Sequence, residues 1–211
     1  MHRNSQKRIY GDYVYFITCD VQDKIEFFKE EIFCDFWIEE LKLAKEMKKF
    51  KLYAFCLNYD HFHLLIKPDK INYSQIMHFI KRHTSRNLNI ILGYNKIDLG
   101  KMANSGEGDV GQRLLQNGNN TTIESDIGNF RQREFDKIIY QHRQKYIVKF
   151  GNDFHHPKFK WQKSFHDHII RNVKDFNNHW NYTMYNYLKH NLPENWKYTG
   201  LNFMELIDEI E

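Results

Sequence analysis

The run Asp60-His61-Phe62-His63-Leu64-Leu65-Ile66 constrains the fold more than any other stretch of the chain. Its alternation has the period of a β-strand, in which residues two apart point to the same side. Phe62, Leu64 and Ile66 then share a face that can enter a core, and His61 and His63 share the other. Leu52–Leu57, just upstream, is a second strand-like run. With Asn58-Tyr59-Asp60 as a compact turn, Leu52–Leu57 and His61–Pro68 read as a hairpin.

The flanking segments alternate between strand and helix character. Tyr13–Val21 is aromatic and β-branched, which suits a first strand. Between Glu30 and Phe50 the residues Phe33, Phe36, Trp37, Leu41, Ala44 and Met47 recur at helical spacing, with Lys42, Lys45, Lys48 and Lys49 on the outer side. Ser74 to Ile91 predicts a second amphipathic helix with Ile76, Phe79, Ile80, Leu88 and Ile91 inward. Gly100–Gly128 is polar and rich in Gly and Asn and cannot pack a core, whereas Arg131–Phe150 regains helical character. Tyr94–Lys160 thus reads as an insertion, partly flexible and carrying one helix, in a single domain over 1–211 whose core covers about 10–92 and 160–200. Trp161–Ile170 supplies a last strand and Asp175–Asn191 a last helix. Without the insertion the order is strand, helix, strand, strand, helix, strand, then a helix. That is the order of an α+β fold of the ferredoxin-like, split βαβ kind with an antiparallel sheet.

Composition narrows the class of protein. With 41% hydrophobic and 16% aromatic residues, the 211-residue chain can bury a core, so a wholly disordered protein is excluded. The net charge of 31 − 27 = +4 permits a nucleic-acid partner without demanding one. Cys19, Cys34 and Cys56 are odd in number and widely spaced, which excludes a disulfide framework and reads as buried thiols in a reducing compartment. With no apolar run long enough for a signal peptide or a membrane span, the sequence reads as cytoplasmic, without a membrane partner.

Two imidazoles on one strand face, with Cα atoms ~6.5–7 Å apart, can converge on one metal ion. Imidazole suits Zn, Mn, Fe or Ni, and Mg when phosphate oxygens complete the shell. The plainer reading is a solvent-facing strand that happens to carry two His. Thirteen tyrosines complicate any search for a nucleophile, but helix geometry sorts those near the end of the chain. At ~100° per residue, Phe176, Trp180, Thr183, Met184, Tyr187 and Leu188 cluster on one side of the last helix. Tyr182 falls opposite, among Asp175, Asn178, His179, Asn186 and Lys189, where its phenol is not needed for packing. Asn186, one turn on, shares the Tyr182 face and reads equally as a ligand or as a plain surface residue.

The Asp60–Leu65 run resembles the His-hydrophobe-His (HUH) motif of the single-tyrosine transposases of insertion sequences and REP elements. Three further blocks resemble that family in the right order: Lys81-Arg82-His83-Thr84-Ser85-Arg86, Trp161-Gln162-Lys163-Ser164-Phe165-His166-Asp167-His168-Ile169-Ile170-Arg171, and Pro193-Glu194-Asn195-Trp196-Lys197-Tyr198. The resemblance implies Tyr182 as the nucleophile, His61, His63 and Asn186 as ligands of Mg²⁺ or Mn²⁺, and Lys81, Arg82 and Arg86 as contacts to DNA. It further implies cleavage and rejoining of single-stranded or hairpin DNA through a covalent 5′-phosphotyrosine. A catalytically inactive hairpin-binding protein of the same fold is the alternative, and a homodimer is compatible with either. The sequence departs from the family after Asn186, where Tyr187 replaces the usual Pro and suggests a longer last helix.

Overall fold

A computed structural model describes residues 9–95 and 120–210, the side chains of 120–133 excepted. Four strands, β1 (Tyr15–Asp20), β2 (Lys51–Leu57), β3 (His61–Lys67) and β4 (His166–Ile169), form one antiparallel sheet in the order β2-β3-β1-β4. The helices are α1 (Glu31–Lys48), α2 (Tyr73–Ile91), α3 (Asn120–Phe150), α4 (Val173–Met184) and the short α5 (Asn186–Lys189). Element order and sheet order together are those of the expected ferredoxin-like split βαβ, and the α+β class holds.

The strand alternation sorts the sheet as expected. Tyr15, Ile17 and Cys19 of β1 stand opposite Ile66, Leu64 and Phe62 of β3, and all six are fully buried. Trp37 of α1 closes over them, its ring 5.1 Å from Phe62 and 6.0 Å from Phe55, and Tyr73 of α2 lies 4.2 Å from Tyr15. Each such side chain contributes roughly 1.5–3 kcal/mol relative to exposure. α1 stops where Lys49 turns left-handed at φ 51°, its N–H closing on the Lys45 carbonyl. Two residues expected inward are not buried: Met47 is exposed, and Phe79 is half-exposed with Met77 taking the core position instead.

The opposite sheet face is covered as well. Phe176 and Met184 of α4 pack with Tyr53, Ala54, Leu65 and Ile170, and Trp180 Nε1 donates to the Tyr53 carbonyl at 3.0 Å. The expected strand over Trp161–Ile170 is reduced to the four residues of β4 and an isolated Val21–Trp161 bridge. The reason is a tertiary contact: the carbonyls of Gln162, Lys163 and Ser164 accept hydrogen bonds from Lys81 Nζ at 2.7, 3.1 and 3.4 Å, so they do not build a ladder.

By contacts the chain divides into two compact units, residues 1–85 with 159–211, and residues 86–158. The second holds the long helix α3, whose Arg143 donates to the Ile91 carbonyl at 2.7 Å, and Tyr146, which pairs with His156. Most of the segment expected to be flexible lies outside the described residues. Among the described residues no helix is long and apolar enough to cross a membrane.

Candidate active site

The face of β3 that carries His61 and His63 is not open to solvent: each histidine is 4% exposed. Their rings stand 4.9 Å apart, and each is oriented through Nδ1. His63 Nδ1 pairs with Thr18 Oγ1 at 2.8 Å, from the residue directly opposite on β1. His61 Nδ1 lies 2.5 Å from Asp60 Oδ1. The Asn58 amide nitrogen, which can only donate, lies 2.9 Å from His61 Nε2. His61 Nε2 therefore accepts, and its proton sits on Nδ1 facing the carboxylate. Anchoring one ring nitrogen and turning the other inward is how metal-binding histidines are oriented.

Asn58 Nδ2 also donates to Asn186 Oδ1 at 2.8 Å. Two lone pairs from different elements thus converge on one N–H₂ group, the positive end of the amide dipole. His63 Nε2 and Asn186 Nδ2 are buried with no hydrogen-bond partner. An acceptor left unpaired in the interior costs about 1–3 kcal/mol, so His63 Nε2 marks a place where a donor or a cation would be bound. A divalent cation held here would take the Nε2 atoms of His61 and His63 as its ligands.

Electrostatics keep the site ready for a cation. Burial, with the neighbouring His61 and His190, holds His63 well below the ordinary histidine range, against a smaller opposing effect of Asn186. Burial raises the Asp60 carboxyl, but His61 and Lys24 outweigh it and bring it down to about 2. Burial pushes the Cys19 and Cys56 thiols up to about 12, which agrees with inert buried cysteines.

Tyr182 lies beside this cluster. It is 36% exposed, with its ring edge-on to His63 at 5.4 Å and to Phe16 at 5.7 Å. Lys189 Nζ lies 4.1 Å from its ring centroid. Asn186, however, does not share the Tyr182 face. α4 ends at Met184, Tyr185 departs from helical geometry at φ −109°, ψ 15°, and α5 begins out of phase. That break buries Asn186 completely and leaves Leu188 49% exposed, so the uninterrupted helix expected over Asp175–Asn191 is corrected to two. Tyr187 and Leu192 then pack on Cys56, and Trp196 donates to the Leu57 carbonyl at 2.7 Å. Gly200 comes so close to the end of α4 that a Cβ there would stand 2.7 Å from Met184 Sδ.

The basic residues of α2 separate. Lys81 is bound to the three carbonyls described above, while Arg82 and Arg86 are exposed one turn apart. A groove of about 830 Å³ runs past Lys81, Arg82, Lys160, Trp161, Lys163 and Phe165, and no carboxylate among the described residues lines it.

Lys189 stands beside Tyr182 as the helix geometry expects, whereas three residues near the site are not evident from the sequence: Thr18, Asn58 and His190. His190 ligand atoms lie within 4.8 Å of those of His61 and His63. Its position depends on the break at Tyr185, which no periodicity in the sequence announces. A second group, His168, Asp175 and His179, ties β4 to α4, with Asp175 accepting from His168 at 3.1 Å.

A four-stranded antiparallel sheet thus presents two inward-turned imidazoles beside an exposed tyrosine on the following helix. Residues 12–98 match the family model described as "Transposase IS200 like". The match ends before Tyr182. Among solved structures, the REP-associated tyrosine transposase bound to a REP hairpin is similar in fold, with a TM-score of 0.58 at 13% identity over 98% of this chain and 89% of that one. A crystal structure of a putative transposase from Deinococcus radiodurans also matches, at 14% identity and a TM-score of 0.35 over 44% of this chain and 71% of that one. No curated protein matches the sequence.

Proposed function

We propose that the protein cleaves and rejoins single-stranded DNA at hairpin-bearing sites, with Tyr182 as nucleophile beside a divalent metal held by His61 and His63. The observation that carries this reading is the Tyr182 ring, its centroid 5.4 Å from that of His63, beside a buried Nε2 that makes no hydrogen bond of good geometry. Bound there, the metal would polarise a phosphate oxygen and hold the strand for in-line attack.

Tyr182 Oη attacks phosphorus and forms a new P–O bond, the bond to the 3′ oxygen breaks, and the leaving oxygen takes a proton to become a 3′-OH. The DNA 5′ end stays on the tyrosine, so a second 3′-OH can reverse the step without an external energy source. The Lys189 ammonium lies over the Tyr182 ring, 4.1 Å from its centroid, and holds the ring by a cation–π contact. Thr18 and Asp60 anchor Nδ1 of the two imidazoles and so leave their Nε2 atoms for the metal. Arg82 and Arg86, with the carboxylate-free groove, fit a DNA backbone. The hairpin bound to the REP-associated relative supports hairpin DNA as the partner.

The test is incubation with labelled single-stranded hairpin DNA and Mn²⁺ or Mg²⁺, followed by a denaturing gel. A covalent adduct supports the reading. Hairpin binding with no adduct on any hairpin from the DNA flanking the gene would instead identify an inactive binding protein.

A further inference from the structure

The metal ligand set can be read beyond the paired histidines. His190 follows α5, and its ring stands 4.5 Å from the His61 ring on the exposed side of the site. The three histidines His61, His63 and His190 offer ligand atoms that all lie within 4.8 Å of one another. Around a tetrahedral ion with bonds of ~2.0–2.1 Å such atoms stand roughly 3.3 Å apart, a gap that an exposed ring can close by rotating.

Asn186 has the weaker claim. Its oxygen already accepts from Asn58 at 2.8 Å, and its other amide atom is a donor, which a cation repels. The backbone reinforces the position of His190. Its N–H is held by the Tyr187 carbonyl, Asn191 turns left-handed at φ 53°, and Tyr187 and Leu192 on either side are packed on Cys56. The residue therefore sits on an anchored turn.

We propose that His190 is the third imidazole ligand of the metal held by His61 and His63, and that the completed site selects zinc-like transition metals over magnesium. This rests on the paired-histidine reading above. Three imidazoles suit Zn²⁺, Co²⁺ or Ni²⁺, whereas Mg²⁺ takes oxygen ligands and keeps much of its water. An open fourth position remains for a phosphate oxygen, as catalytic sites of this type require.

The test uses the full chain stripped of metal. Zn²⁺, Mn²⁺ and Mg²⁺ are titrated by calorimetry, and Co²⁺ by its visible absorption, which reports ligand number and type. Zn²⁺ is expected to bind far more tightly than Mg²⁺. His190→Ala, at an exposed position, should lower Zn²⁺ affinity by at least about tenfold and alter the Co²⁺ spectrum, while circular dichroism is unchanged; Asn186→Ala should do less. Unchanged Zn²⁺ affinity and Co²⁺ spectrum in His190→Ala, with loss in His61→Ala or His63→Ala, would overturn the role of His190 and leave the paired site standing. Equal Zn²⁺ and Mg²⁺ affinity would overturn the selectivity. No response in any of the three histidine variants would overturn the metal reading itself.

Discussion

His63 and Tyr182 meet edge to face, their ring centroids 5.4 Å apart at 74°. The contact joins β3 to α4, two elements separated by more than a hundred residues of chain. It exists because Phe176 and Met184 dock α4 on the sheet through Leu65, the next residue along the His63 face. Packing on one side of the helix thus sets the position of a phenol on the other.

Thr18 is expected to act through His63 alone. Thr18→Val keeps the side-chain volume and removes the hydroxyl that fixes Nδ1. Metal affinity should fall by about 10–100-fold, with stability lowered by only ~1 kcal/mol. Calorimetry on the metal-free protein checks the first and chemical denaturation the second. Unchanged affinity would mean that the ring needs no such support.

Asn58 should behave in the opposite way. Its amide hydrogens engage Asn186 Oδ1 and His61 Nε2, the second of which is a lone pair a cation would use. Asn58→Ala is expected to destabilise the metal-free protein by ~1–2 kcal/mol and to raise metal affinity. A variant that binds metal less tightly would show Asn58 to be a ligand or an organiser of the site.

Asp175 holds the start of α4, accepting from the Arg171 N–H, His168 and His179. Burial raises its carboxyl, but these partners outweigh that and hold it below the ordinary carboxylate range. A depressed acid contributes stability above its unfolded value of ~3.9 and loses it as pH falls through the lower folded value. Asp175→Asn should therefore unfold at a lower temperature than the wild type at pH 7, and the difference should shrink below about pH 4. A difference independent of pH would assign the effect to the hydrogen bonds and not to the charge.

Arg82 and Lys81 should part company in DNA binding. Arg82 is exposed on the groove, so Arg82→Ala should weaken binding to all hairpins alike and reduce the salt slope by about 1. Lys81→Ala should chiefly loosen the 162–164 segment whose carbonyls it binds, which shows as faster amide exchange there. Equal salt-slope changes in both variants would contradict this division.

Much of the fold was legible in the sequence because its strands alternate cleanly and both sheet faces are apolar enough to be covered. The period of two in His61–Ile66 gives the histidine face directly, and the apolar stripe of Phe176, Trp180 and Met184 gives the exposed side for Tyr182. Two things were not legible. The break at Tyr185 comes from tertiary packing of Tyr187 and Leu192 on Cys56, not from a Gly or Pro, so a helical wheel places Asn186 and Leu188 wrongly and cannot find His190. The shortened β4 depends on Lys81 capturing carbonyls some eighty residues away. In each case a long-range contact overrides local preference.

The most direct measurement is the covalent adduct itself. Wild-type protein with labelled hairpin DNA and a divalent metal should give a species that survives denaturation, and peptide mass spectrometry should place the nucleotide on Tyr182. Tyr182→Phe, which removes only the hydroxyl of a half-exposed ring, should abolish the adduct while keeping hairpin affinity and the folded spectrum. An adduct of undiminished yield in Tyr182→Phe, or one mapped to another tyrosine such as Tyr185, would contradict the assignment.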